Sequence, residues 1–285
     1  MHRSLTRTSR RFRSRLTVTA AAAVCVLCGS AYGQGKLDAH YTATLAGVPI
    51  GMGSWTIDIS EDQFSASATG MTSGLLRVFT TGEGNSTSRG TVRGDNLSPT
   101  LFVSTVRNDK QVEELKLVMS GGAVKDMMVD PPTVPHPNRV PLTEAHRRSI
   151  VDPMSAALIR VQGNDDPVGP EACRRTLPVF DGRMRFDLQL SFNRFEKVEA
   201  EKSYQGQVVV CRVRFVPVAG HVPDRPAIKY LAAAQDIEMW LAPIAGTRVV
   251  VPYKVSIPTP LGRGVLEATQ FVTTASRPGA ATAAR

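Results

Sequence analysis

Few side chains in this sequence have the type and spacing that a catalytic site requires. The nearest match to the Gly-x-Ser-x-Gly turn of serine hydrolases is residues 70–74, where the serine stands one position too late. Glycine-rich phosphate loops followed by lysine are also missing. Asp152 precedes a proline and Asp181 precedes a glycine, so helix capping and turn formation explain both carboxylates. We therefore expect no enzymatic activity, no catalytic residue and no cofactor.

The histidines also lack the spacing of metal ligands. Beyond residue 33 they are isolated along the chain, at His40, His136, His146 and His221. A zinc site usually takes two ligands from one helix face or one turn, so we expect no metal site. The best loop candidate is residues 217–226, which could present His221, Asp224 and Arg225 at a mouth of the fold. A structural role for these three residues, with Arg225 bridging to an acidic side chain, is the favoured interpretation.

The amino-terminal segment has the pattern of a secretory signal peptide. Six arginines fall within the first fifteen residues, an apolar run covers residues 16–28, and small residues precede Gly33. We predict cleavage near Gly33, export to the periplasm, and no transmembrane segment in the mature chain. Arg10 and Arg11 leave a twin-arginine signal open as an alternative to the general secretory route, although Phe12 follows them without a spacer.

Removal of residues 1–33 changes the charge and the cysteine content. The remaining chain has 28 Lys and Arg against 25 Asp and Glu, a net charge of +3, which predicts no nucleic-acid partner. Only Cys173 and Cys211 remain, in a chain sent to an oxidising compartment. A disulfide between them is the main prediction, worth about 4 kcal/mol for the loop it closes. A metal pair and two buried thiols are the alternatives.

Apolar and polar residues alternate through most of the mature chain, as in strands with one buried face. Glycine-containing turns separate the candidate strands. We therefore predict a mainly β protein with a single curled antiparallel sheet, a half-barrel or open barrel that wraps one or two short helices. The expected divisions are a signal peptide at 1–33, one β-rich domain at 34–274 and a disordered tail at 275–285. Candidate strands are residues 41–45, 55–59, 64–68, 101–106, 115–119, 186–192, 209–215, 237–241, 249–257 and 265–272.

Two helices interrupt the alternation. Asp152 is placed to cap a helix that starts at Pro153, and a second helical turn is predicted over residues 226–234. The first helix would place one apolar face against the concave side of the sheet, where it could either plug the curl or line an open groove. The predicted groove-lining residues are Met154, Ala157, Leu158, Phe186, Leu188, Leu190, Val213 and Phe215.

Five prolines crowd into residues 130–141. Such a segment cannot form a central strand or a helix. We interpret it as a stiff crossover between two parts of the sheet, with a recognition loop for a partner as the alternative.

Several segments form a recognisable ordered set: residues 41–51, 151–157, 173–183, 216–220 with Cys211 and His221, and 240–243. Taken together, they resemble the bacterial domain of unknown function 3108 family. The resemblance implies an exported, β-rich envelope protein of a Gram-negative bacterium, with no assigned activity and no catalytic residues. In general build this is similar to the lipoprotein carriers LolA and LolB, whose half-barrels shelter acyl chains. We therefore expect a non-enzymatic protein that binds a hydrophobic or lipid-like ligand. An envelope scaffold that binds another protein is the alternative, and a hydrolase is a distant third.

Overall fold

The computed structural model describes residues 33–73, 82–94, 96–163, 165–200 and 203–276, together with His2. The predicted signal peptide, apart from His2 and Gly33, lies outside the described residues. So does the predicted tail from residue 277 onward. The described chain contains fourteen strands joined in one antiparallel sheet. This is the mainly β, single-sheet architecture that the alternating pattern predicts.

The sheet order places the two ends of the described chain side by side near its centre. Along the sheet the order is β7-β6-β5-β4-β3-β2-β1-β14-β13-β12-β11-β10-β9, and β8 pairs with β13. The strands are β1 Gln34–Leu45, β2 Val48–Ile59, β3 Gln63–Thr72, β4 Gly82–Arg93, β5 Asn96–Asn108, β6 Val112–Ser120, β7 Ala123–Asp130, β8 Ile159–Arg160, β9 Arg175–Phe180, β10 Arg185–Glu199, β11 Gln205–Ala219, β12 Ile237–Pro243, β13 Val249–Thr259 and β14 Gly262–Ser276.

The final strand is longer than the sequence predicts. β14 continues through Ala275 and Ser276, which pair with Gly35 and Gln34 at the start of β1. The two residues belong to the segment predicted as a disordered tail, and that boundary is wrong by two positions. Pairing with β1 supplies the backbone hydrogen bonds that composition alone does not reveal.

The sheet remains open, but one short segment connects its two edge strands. Arg148 forms a bridge with Ala123 at the start of β7. Three residues later, Val151 forms a parallel bridge with Val179 of β9. The Val151 amide also donates to Pro178 O at 2.9 Å. Backbone groups on both edges are therefore partly satisfied by a segment that is itself not a strand.

Helix α1, Pro153–Ala156, follows this segment directly. Asp152 caps it as predicted, since its Oδ1 accepts from the amides of Met154 at 3.0 Å and Ser155 at 2.9 Å. The Ser88 hydroxyl on β4 donates to Asp152 Oδ2 at 3.0 Å and lies 2.8 Å from Ser155 Oγ. Burial raises the pKa of Asp152, while these hydrogen bonds oppose the rise. The network fixes α1 to β4 on the concave face of the sheet. Helix α2, Pro226–Ala233, confirms the second predicted helix.

Two apolar clusters form the core. The first cluster joins the buried faces of β1–β6 to α1 and to residues of β9 and β11–β14. It includes Leu37, Ile57 and Leu158. The second lies around β10–β13 and includes Leu190 and Val213. In the second cluster Cys173 and Cys211 form the predicted disulfide, with an S–S distance of 2.00 Å. The bond holds the segment before β9 against β11.

The proline-rich segment lies between β7 and the 3₁₀ turn Glu144–Arg147. Its start is held by Arg183, whose Nη2 donates to Pro131 O at 3.0 Å. Its end is paired with the loop after β11, because the Val140 amide donates to His221 O at 2.9 Å. Arg139 donates in addition to Val134 O at 3.1 Å. The segment is therefore anchored at both ends, while Val134 itself is exposed.

Candidate functional site

A cavity of about 550 Å³ lies where the two core clusters meet, beside α1. Strands β1–β3 form one side, β12–β14 another, and β9 and β10 contribute one leucine each. The lining residues are Tyr41, Ala43, Gly51, Met52, Gly53, Ser54, Trp55, Ala68, Thr69, Gly70, Met71, Pro153, Ala156, Ala157, Leu177, Leu188, Met239, Pro252, Val255 and Leu266.

The cavity exists because side chains on β1–β3 become small towards one end of the inner face. On β2, Trp55 and Ile57 are buried, and the next two positions on the same face are Gly53 and Gly51. On β3 the buried Phe64 and Ala66 are followed on that face by Ala68 and Gly70. Alternate residues of a strand share a face, so these positions would otherwise fill the interior. The small residues leave it open.

The lining offers apolar contact and little polar chemistry. None of the described residues around the cavity is charged. The Tyr41 hydroxyl donates to Pro252 O at 2.8 Å, and burial raises the pKa of this phenol, so it stays neutral. Ser54 Oγ and Thr69 Oγ1 pair with each other at 2.8 Å. The arrangement can hold an apolar group, and its described side chains bring no nucleophile together with a base.

The cavity is open to water on its β14 side. Leu266 is 42% exposed although its alternate neighbour on the strand, Ala268, is buried. Met52 and Met71, directly opposite each other on β2 and β3, are also exposed, but they alternate with Gly53 and Gly70, so their side chains lie on the other face of the sheet. Large exposed apolar side chains around a cavity mark a place where a ligand or partner removes surface from water.

The predicted groove residues divide between the cavity and the core. Ala157 and Leu188 line the cavity. Four others are buried in the apolar clusters and are not among the residues that line the cavity: Met154 and Leu158 in the first cluster, Leu190 and Val213 in the second. The remaining two, Phe186 and Phe215, pack against each other with ring centroids 5.3 Å apart and do not line the cavity.

Two structural features account for these differences. Helix α1 has a single turn, so Pro153, Ala156 and Ala157 face the cavity while Met154 and Leu158 pack into the core. The segment held by the disulfide covers Leu190 and Val213 with Val168 and Ala172. Sequence reasoning missed the glycine and alanine positions that create the cavity. Their signal was the run of small residues at alternate positions of β2 and β3.

The predicted loop site is not assembled. His221 is buried two residues after the end of β11. Asp224 is exposed and forms an ion pair with Lys229, with 3.0 Å between Oδ1 and Nζ. Arg225 precedes α2 as its N-cap residue. The three residues therefore have separate structural surroundings. In the part of the chain that the structure describes, no three metal-binding side chains come together either.

His221 provides a test of the pH dependence of stability. Burial lowers the pKa of His221 from its usual value of 6.5. As the pH falls through that value, the unfolded chain gains a proton that the folded chain does not take up, so the folded state loses stability. We expect the urea midpoint of the wild type to fall between pH 7.5 and pH 5.5 by more than that of His221→Gln. An equal fall in both proteins would show that His221 does not contribute.

Taken together, the described residues define an open, curled antiparallel sheet with an apolar cavity beside a short buried helix. The family described as "Protein of unknown function (DUF3108)" matches residues 40–269. The chain belongs to the DUF3108 family.

Comparison with other proteins adds little beyond this family. The search of curated proteins found no match. Among solved structures, the chain is similar to a β-barrel-like protein of domain of unknown function DUF1849 from Brucella abortus. The two are 7% identical over 85% of this chain and 98% of that one, with a TM-score of 0.47. None of the described helices is long and apolar enough to cross a membrane.

Proposed function

We propose that this protein is a non-enzymatic periplasmic component of the cell envelope that binds a hydrophobic, lipid-like ligand in the cavity beside α1. The observation that carries the proposal is the cavity of about 550 Å³ with no charged residue in its described lining. Protein interiors are normally packed as densely as organic crystals, so a space of this size has to be maintained by the sequence. Ligand pockets typically occupy about 300–1,000 Å³.

The chemistry of the lining supports an apolar chain as the ligand. Burial of apolar surface contributes about 25 cal/mol per Å² removed from water. Leu266 would lose exposed surface to a ligand that enters from the open side. A charged ligand group in the cavity would lose its hydration without gaining an ionic partner, at a large free-energy cost. A charged group of the ligand is therefore expected to remain in water, outside the cavity.

The periplasmic location is supported by the sequence. The first 33 residues have the basic and apolar regions of a secretory signal peptide. A disulfide such as Cys173–Cys211 persists in oxidising compartments and is rare in the cytosol. A protein in the periplasm is exposed to lipids and lipid-modified proteins in the space between two membranes.

Mass spectrometry of protein purified from the periplasm tests the proposal. We expect native spectra to show the chain with a bound small molecule, and an organic extract to contain a species with a long apolar chain. An empty cavity in protein that retains a protein partner would favour a scaffold as the second candidate function. The exposed Val134 in the anchored proline-rich segment is the observation that favours that second candidate.

A further inference from the structure

Strand β10 is longer than the edge strand that covers it. β9 pairs with β10 only from Arg185 to Leu190, whereas β10 continues to Glu199. On the side away from β11, none of the described strands pairs with residues 191–199. This leaves a free strand edge with unpaired backbone donors and acceptors, which is a template for another strand.

Two aromatic side chains mark the same stretch. Phe192 is 38% exposed and Phe195 is 44% exposed, and their ring centroids lie 5.2 Å apart. Proteins usually protect a free edge with charges, prolines or bulges, and this stretch has four charged residues and a register shift between Phe192 and Arg194. The exposed phenylalanine pair nevertheless provides apolar surface for a partner strand, in addition to the backbone groups.

We propose that this edge pairs with the same edge of a second copy of the chain, in an antiparallel arrangement centred on Phe195. In a two-fold symmetric antiparallel pair, one residue lies opposite its own copy. With Phe195 at the centre, Arg194 of each copy faces Glu196 of the other. The two phenylalanines meet at the axis, and cross-strand aromatic and opposite-charge pairs both stabilise a sheet.

Placing a neighbouring residue at the two-fold axis of the strand pair is unfavourable. Centring the pair on Arg194, Glu196 or Lys197 places two like charges directly opposite each other, which destabilises a strand pair. Centring it on Asn193 sets Arg194 against Phe192 and leaves the charges unmatched. The charge pattern of residues 193–197 therefore selects one arrangement.

Within one chain both charged side chains also bind groups on β12: Arg194 donates to Glu238, and Glu196 accepts from Trp240 Nε1 at 2.6 Å. An Arg194 guanidinium nitrogen lies 2.6 Å from Glu196 Oε1 within one chain, and both side chains remain partly exposed. The Arg194 guanidinium also lies over Trp240, 5.5 Å from the ring centroid. Pairing of two copies would bring the second copy's Glu196 beside an Arg194 that already binds Glu238 and its own Glu196.

The paired edge is separate from the ligand cavity. No residue of 191–199 is among the residues that line the cavity. Dimer formation therefore leaves the cavity lining unchanged, and this inference stands whether or not the cavity binds a ligand.

Cross-linking of variants of the mature protein that carry one added cysteine tests the arrangement. Directly opposite residues in an antiparallel pair have Cα atoms about 4.5–5.5 Å apart, within the range of a disulfide. We expect Phe195→Cys to form a covalent dimer on mild oxidation. Lys197→Cys is the matched control, because its own copy lies four residues away along the strand, about 13 Å, which is too far for a disulfide.

Sedimentation of the uncross-linked proteins completes the test. The wild type is expected to be a dimer that dissociates when Phe195→Lys places two positive charges at the axis. Cooperative unfolding of each variant, with Cys173 and Cys211 still bonded, would show that it folds. A wild type that remains monomeric at high concentration, or equal cross-linking of the two cysteine variants, would overturn the proposal.

Discussion

Leu158→Ala is expected to lower the free energy of unfolding by about 2–5 kcal/mol, the range found when buried leucines are truncated. Leu158 is 5% exposed and packs in the first core cluster, directly after α1. Because α1 is hydrogen-bonded to Ser88 of β4, we expect the surroundings to collapse only partly into the space that the methyl groups of Leu158 would leave. Urea unfolding of the purified variant measures the loss.

Leu261→Ala is the matched control for this substitution. Leu261 is 76% exposed in the turn between β13 and β14, so the same truncation should change the free energy by no more than about 0.5 kcal/mol. A cost below about 1.5 kcal/mol for Leu158→Ala would mean that Leu158 borders open space instead of the packed core. The boundary between core and cavity at α1 would then be wrong.

Gly70→Leu is expected to reduce the affinity for a hydrophobic ligand at least tenfold, a loss of about 1.4 kcal/mol, with little loss of stability. Gly70 lies on the inner face of β3 and lines the cavity. A Cβ atom built there finds a single neighbour within 4 Å, Met52 O at 3.9 Å. A leucine side chain would therefore extend into space that the ligand would otherwise occupy. A fluorescent fatty-acid analogue measures the binding.

The choice of glycine matters for this experiment. A Cβ at Gly53 would lie 2.5 Å from Thr69 O, so a substitution there would strain the sheet. Gly70→Ala adds one methyl group at the tolerant position and should keep most of the affinity. If Gly70→Leu binds the analogue as tightly as the wild type, the analogue occupies another part of the protein.

Much of the fold could be predicted from the sequence because strands with one buried face have a regular signature. The stretches at Phe186, Val209 and Val265 each fall inside an observed strand. Asp152 with Pro153 predicted the start of α1, since capping depends on the residues immediately around it. The disulfide could be predicted because only two cysteines lie beyond the predicted signal peptide.

The strands that the sequence did not predict lack that signature. β4 places Ser86, Ser88 and Gly90 on its buried face, so apolar alternation is missing. Ser88 is nevertheless fully buried, because Asp152 and Ser155 satisfy its hydroxyl across a separation of more than sixty residues. Such a contact depends on how the sheet curls, and local periodicity does not contain that information. β9 contains Pro178, which disfavours a central strand but is tolerated at an edge.

The candidate site was predicted less well for the same reason. Large apolar residues were assigned to the groove, yet Met154, Leu158, Leu190 and Val213 fill the core. The cavity depends on residues with small side chains, and its position depends on which strands meet across the curl. Helix α1 is a single turn, and the orientation of that turn determines which of its residues face the cavity.

The most direct test of ligand binding in the cavity uses the two tryptophans of the chain as reporters. Trp55 lines the cavity, whereas Trp240 is outside the lining and donates from Nε1 to Glu196 Oε2 at 2.6 Å. Titration with a brominated fatty acid, whose bromine quenches a tryptophan at short range, separates the two positions. In Trp240→Phe, which retains Trp55, we predict saturable quenching with one ligand per chain. In Trp55→Phe, which retains Trp240, we predict almost none. Equal quenching of both variants, or no saturable quenching of either, would contradict binding in the cavity.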